Sequence, residues 1–394
     1  VVALNGSGRA PARLDGSLLR DSGETTVPLR SAHAVTIPGA IDAFCHLSDT
    51  VGTLGLDAIL APSIRYAEDG REAFYNGEIA DDMISALNAV GGVHSAEDFS
   101  NVACSTSDPI SGTYQDLEVV EHAPNGQGAT ALLMMNILSH FDIASMAPFG
   151  AARVHVEAEA AKLAYDARDR ILADPDHTSR LNHMLSMETA KRLAGLINPD
   201  KAMTSAKTMS EAVHKDTVYI TVVDRDGMAV SLIYSIFHGF GSGIASDKFG
   251  ILLQNRGAGF TLEEGHVNEL KGGKRPMHTI IPGMIKDGGK VLMPFGVMGG
   301  AYQPNGHARF VSNLTDFSMD TQTAIDAPRA FADKGVLNVE RGYSDEVRAQ
   351  LTEMGHKVEI PRVAIGGAQA IKLRADGLLE GASDPRKDGC ALGY

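Results

Sequence analysis

Tryptophan is absent from this 394-residue sequence, and cysteine is nearly so, with three residues. Cys45, Cys104 and Cys390 are odd in number, far apart and without a CxxC pair, so neither a disulfide framework nor a zinc-thiolate site is indicated. That scarcity fits a reducing compartment, and a cytoplasmic location is expected over a periplasmic one. No apolar run approaches the ~20 residues of a membrane span. No block of Lys or Arg occurs, and a formal charge of −14 disfavours contact with a phosphate backbone, so neither membrane nor nucleic acid is an expected partner. No His/Asp/Glu cluster has ligand spacing, so no metal and no cofactor are expected. The opening Val1-Val2-Ala3-Leu4 lacks a signal-peptide pattern and reads as a strand already under way.

What is present suffices for a large core. Apolar residues make up 44% of the chain, enough for one large domain or two intimate ones. Spacing of 3.6 residues predicts helices at Ile41–Leu47, Leu56–Pro62, 79–90, 127–146 and 153–172, the Met134–Met135 stripe being core filler. Residues 197–216 lose all periodicity and read as an exposed loop. The chain then turns to strands at 217–223, 228–237, 251–255, 291–296, 337–340 and 369–373, with helices near 307–318 and 344–354.

Thr217 stands where loop becomes strand. It opens Thr217–Val223, the turn Asp224–Gly227 follows, and Met228–Ser235 returns, a hairpin pattern that places Thr217 opposite Tyr234 and one residue from Ser235. A small hydroxyl at a strand start, with a second hydroxyl across the ladder, suits a nucleophile. Thr is equally ordinary in strands, so the pattern by itself leaves both readings open.

Several blocks resemble the γ-glutamyltranspeptidase family. They are TVYITVVDRDGMAVSL, FGSGIASDKFGILLQN, KRPMHTIIPGMI, FGVMGGAYQP, AIDAPRAF and GASDPRKDGCALGY, in order after Thr217, with VTIPGAIDAF, LAPSIRYAEDG, AFYNGEIA and DPISGTYQDLEVVEHAPNGQGATALLMMNIL before it. The resemblance implies an α+β fold, the four-layer αββα sandwich of two stacked antiparallel sheets flanked by helices found in N-terminal-nucleophile hydrolases. It implies a large-subunit-like region, 1–216, and a small-subunit-like region, 217–394, together one intertwined domain. Against the family pattern, the expectation is a large-subunit-like region that lacks the family's leading segment and an internal segment near Glu68–Phe74.

The implied chemistry begins with scission between Asp216 and Thr217, which frees the Thr217 α-amine to serve as base for its own hydroxyl. Ser235 matches a hydroxyl that hydrogen-bonds the nucleophile, and Gly299 and Gly300 match a pair whose N–H groups form an oxyanion hole. The glutathione-cleaving pattern is broken elsewhere. The Arg column that holds the substrate carboxylate has Ser7, with Arg9 displaced by two positions. The acidic columns that hold the amine are Ala258 and Gly259, a serine pair is His278-Thr279, and an Asn is Phe237. Arg256, His278, Thr279, Arg9, Tyr219 and Asn255 are the candidate substrate contacts, with His238 at the margin. For Arg256 the competing role is a structural ion pair, and for His278 that of a satisfied core histidine.

The expected function is an autoprocessed threonine amidohydrolase or acyltransferase acting on small amides with an anionic acyl group. Water or an amine would be the acceptor, and the two cleavage products would form a heterodimer, with higher oligomers open. The alternatives are a true γ-glutamyltransferase with a rearranged pocket, or a non-catalytic relative that binds ligands.

Overall fold

The computed structural model describes residues 1–54, 70–203 and 217–393. The expected helix Leu56–Pro62, most of the 197–216 loop and Asp216 lie outside them. Two compact units emerge, each assembled from stretches distant in sequence. The first comprises Val1–Asp108, Ala173–His177 and Ser235–His278; the second comprises Pro109–Leu172, Thr178–Tyr234 and Thr279–Tyr394.

In the first unit, helices α1 (Ala40–Val51) and α2 (Glu78–Ala89) follow the expected periodicity. Ile79, Ala80, Met83 and Leu87 recur on one face of α2 and are buried with Val35, Tyr75, Phe99 and Leu253. The strand expected over 251–255 does not form. Leu252 makes one isolated bridge to Ala245, Ser242 N–H donates to Leu253 O, and the chain turns into a short 3-10 segment at Arg256–Gly259. The glycine turns at Gly241 and Gly243, both at positive φ, prevent a longer ladder.

The second unit opens with the hairpin β1 (Ile110–Tyr114) and β2 (Leu117–Glu121), then α3 (Gly128–Leu138) and α4 (Ala151–Ile171). Strands β3 (Thr217–Val223) and β4 (Ala229–Ser235, whose last residue is counted with the first unit) follow, then β5 (Gly283–Asp287), β6 (Lys290–Met298) and α5 (Gln303–Thr315). After them come β7 (Ala330–Asp333), β8 (Val336–Val339), α6 (Asp345–Glu353), β9 (Val358–Glu359), β10 (Gly367–Leu373) and β11 (Leu379–Ser383). Every residue of α3 is buried, Met134 and Met135 included, as expected of a core stripe. The helix stops at Leu138, short of the expected 146, and Asp142 caps a separate turn at Ile143–Ser145.

A six-stranded antiparallel sheet in the order β11-β10-β6-β5-β2-β1 forms the centre of this unit. Helices α3 and α5 cover one face, α4 packs on α3, and the β3–β4 hairpin packs against β6 and β10. Alternation along β6 sorts the layers. Phe295 stacks on Phe310 of α5 with ring centroids 5.3 Å apart, whereas Met298, of opposite parity, joins the core with Tyr219 and Ile233 of the hairpin. The arrangement is an α+β sandwich of stacked antiparallel sheets with helices outside.

The hairpin turn differs from the expected one. Asp224 N–H donates to Met228 O at 3.1 Å, which lengthens the turn by one residue. The register shifts accordingly, and Tyr234 lies on the exposed outer face with Val218 and Ile220 rather than opposite Thr217.

Candidate active site

Thr217 is half-buried and begins β3, on the inner face shared with Tyr219 and Thr221. Tyr219 is a core side chain. Its hydroxyl lies 2.8 Å from Ser231 Oγ, and its ring occupies the space where a Cβ on Gly296 would stand, 2.3 Å from Cε2. Burial pushes its phenol above the usual range. Tyr219 therefore fixes the start of β3 against β6.

Two residues beyond Gly296 the sheet ends at Met298, and Gly299 and Gly300 follow at φ +122° and +58°. Only glycine is unstrained at the first angle, and a Cβ on Gly299 would also come within 3.0 Å of Gly366 Cα. The pair forms a tight corner between a core strand and helix α5, suited to presenting backbone N–H groups to a developing negative charge. Gln127 Nε2 donates to Gly300 O at 2.9 Å and to Thr279 O at 2.6 Å, and the Tyr165 hydroxyl donates to Ala301 O. Gln127 escaped the sequence reading because nothing in HAPNGQG distinguishes its amide from a surface one.

The first unit holds the remaining candidates. Arg256 is buried, its guanidinium 4.0 Å from the centroid of the Phe237 ring, and burial pushes its pKa down to about 9. Asn255 is committed to the fold, its Oδ1 accepting from His238 N–H at 3.1 Å and its Nδ2 donating to Leu29 O at 3.1 Å. Arg9 has partners of its own: its Nη1 pairs with Asp174 at 3.1 Å and donates to Gly273 O at 2.9 Å. Ser235 Oγ accepts from Phe237 N–H at 2.9 Å, supporting positive φ at Phe237. His278 closes the first unit and Thr279 opens the second, both buried.

The fold also gathers His155, Glu159 and His356, whose ligand-type atoms lie within 4.8 Å of one another, a grouping that spacing could not reveal. Their own hydrogen bonds occupy them. His155 Nε2 donates to Asn198 O at 2.8 Å, leaving Nδ1 to face His356 Nε2 at 2.8 Å. Glu159 accepts from Met203 N–H at 2.8 Å and from the Lys162 ammonium at 2.5 Å, a cation already in place. Among the described residues, no helix is long and apolar enough to cross a membrane.

The family model described as Gamma-glutamyltranspeptidase matches residues 1–72 and 67–394, two stretches that meet where an internal segment was expected to be missing. The glutathione hydrolase-like YwrD proenzyme of Bacillus subtilis is 31% identical over 461 positions, covering all of this chain and 87% of that protein. The oxamate amidohydrolase proenzyme of Klebsiella pneumoniae is 33% identical, covering 85% of this chain and 65% of that protein. The crystal structure of cephalosporin acylase from Bacillus halodurans superposes with a TM-score of 0.90 at 31% identity, covering 99% of this chain and 85% of that one. Fold and relatives together define an amidohydrolase or acyltransferase of the kind made as a proenzyme. The chain belongs to the gamma-glutamyltranspeptidase family.

Proposed function

We propose that scission of the Asp216–Thr217 bond makes Thr217 the N-terminal nucleophile of an enzyme that hydrolyses small amides with an anionic acyl group. In processing, Thr217 Oγ attacks the Asp216 carbonyl, the peptide shifts to an ester, and water releases the Asp216 carboxylate and the Thr217 α-amine. In turnover, the α-amine takes the Thr217 hydroxyl proton as Oγ attacks the substrate carbonyl, and the leaving amine departs with that proton. Water then hydrolyses the ester, or an amine takes the acyl group. Gly299 and Gly300 N–H groups stabilise the oxyanion in both steps.

The observation that carries this reading is the packing of Tyr219 against Gly296 and Met298, which anchors the strand begun by Thr217 on the strand that ends at the glycine pair. For the substrate, Arg256 supports a carboxylate, since a charge-assisted bond contributes about 1.5–3 kcal/mol and a buried guanidinium gains most from it. Ala258 and Gly259, where the family's amine-binding acids would stand, give no anchor for a γ-glutamyl amine. Oxamate, named in the Klebsiella relative, is an amide of this kind, a carboxylate without an amine on its acyl part. The two cleavage products stay together as a heterodimer. Purified cleaved enzyme should turn over glutaryl-p-nitroanilide faster than γ-glutamyl-p-nitroanilide. Efficient γ-glutamyl turnover would instead establish a true γ-glutamyltransferase with a rearranged pocket.

A further inference from the structure

We infer that Gln127 is a positioning residue for turnover, its side-chain amide holding the Gly299–Gly300 corner and the Thr279 segment in the geometry the reaction needs. The inference rests on the reading above, in which this corner stabilises the oxyanion. Gln127 is fully buried at the entrance to α3, and its Nε2 serves two backbone carbonyls, Thr279 O at 2.6 Å and Gly300 O at 2.9 Å. Its Oε1 accepts from Arg168 Nη1 at 2.9 Å, which fixes which end of the amide faces the corner. Arg168 is itself held. It is buried, lies 4.6 Å from the centroid of the Tyr165 ring and donates to Asp169 at 2.8 Å. Tyr165 in turn reaches Ala301 O.

The carbonyls of Gly300 and Ala301 are thus both gripped by side chains from α4 and the entrance to α3. Within the corner, Tyr302 N–H donates to Gly299 O at 3.2 Å. In a trans peptide the N–H points opposite to the C=O. Fixing Gly299 O therefore aims Gly300 N–H away from Tyr302, and fixing Gly300 O sets the next peptide plane. A second glutamine completes the frame: Gln303 Oε1 accepts from Ile281 N–H at 2.9 Å. Two glutamine side chains tie residues 279–281 to residues 300–303, although the two segments are separated by strands β5 and β6. A support of this kind acts where charge develops, so its loss falls on kcat rather than KM.

Two substitutions test it on purified, cleaved enzyme with glutaryl-p-nitroanilide. Gln127→Met keeps the volume and removes both donors; Gln127→Glu removes the donors but keeps a partner for Arg168. Both should lower kcat by about 10–100-fold with KM within about twofold, and both should lengthen the half-time of self-cleavage. Circular dichroism and the melting temperature establish folding, and if Gln127→Met does not fold, Gln127→Glu carries the test. A folded variant with the parent kcat and cleavage rate, or one altered only in KM, would overturn the inference. Trapping the acyl group on Thr217 of the parent enzyme separates the two readings. No such ester means that the assigned reaction is wrong, whereas an ester with unaffected Gln127 variants means that only the positioning role is wrong.

Discussion

The Tyr219 ring stands in the place of a side chain at Gly296: a Cβ there would lie 2.3 Å from Cε2. The contact joins the strand that Thr217 begins to the strand that leads into Gly299. Gly296→Ala should destabilise the protein by about 1–3 kcal/mol, read as a lower urea midpoint, because Tyr219 has no slack in its core. Turnover should fall as well, since β3 must shift. An unchanged midpoint would show that the hairpin floats on the sheet.

Gly300 sits at φ +58°, which alanine reaches at modest cost, whereas Gly299 at φ +122° admits no other residue without strain. Gly300→Ala is therefore the informative change. A folded Gly300→Ala protein should lose up to about 10²–10³ in kcat, the cost of removing one oxyanion donor outright, because its Cβ crowds the carbonyl that the glycine corner admits and displaces the donors. Full turnover would reduce the glycine pair to a turn.

Arg256 is the residue proposed to meet the substrate carboxylate. Arg256→Met should raise KM for glutaryl-p-nitroanilide by about tenfold or more, the equivalent of about 1.5–3 kcal/mol, and leave kcat nearly unchanged. With its pKa pushed down to about 9 by burial, the guanidinium is charged at neutral pH, so KM should be flat from pH 6 to 8 and rise as pH passes about 9. A KM insensitive to both changes would remove Arg256 from the site.

Stability should carry the signature of His356. Burial, then Lys162 and His155, depress its pKa from 6.5 to about 4, so the unfolded chain binds the extra proton first as pH falls. The sign follows: stability is full above pH 6.5 and is lost on descending to about 4, by about 1–3 kcal/mol from this group. Denaturant midpoints across that interval should fall, and His356→Gln should flatten the slope. An equal slope in the variant would place the titrating group elsewhere.

Parts of this architecture were legible in the sequence for local reasons. The β-branched runs on either side of Asp224–Gly227 and the Met-rich buried helix carry their own periodicity, and the glycine pair follows an apolar strand. The β1–β2 hairpin was not foreseen because its turn uses Gln115 at φ +52° rather than an Asn-Gly signal. The run Ile251–Asn255 looked like a strand, yet its neighbours Gly241 and Gly243 set positive-φ turns that bend its partner away. Arg9 was placed near a functional column by alignment, and its ion-pair partner Asp174 lies 165 positions away, beyond the reach of any local pattern. Gln127 and the His155–His356 pair belong to the same class, groups whose meaning exists only once distant segments meet.

In the proposed reaction Thr217 becomes a chain terminus before it acts as nucleophile. Intact mass under denaturing conditions tests it most directly, on the parent protein and on Thr217→Ala. Two chains are expected in the parent, the smaller beginning at Thr217, and a single uncleaved, inactive chain in Thr217→Ala. An active parent that remains one chain, or a Thr217→Ala protein that still cleaves before residue 217, would contradict it.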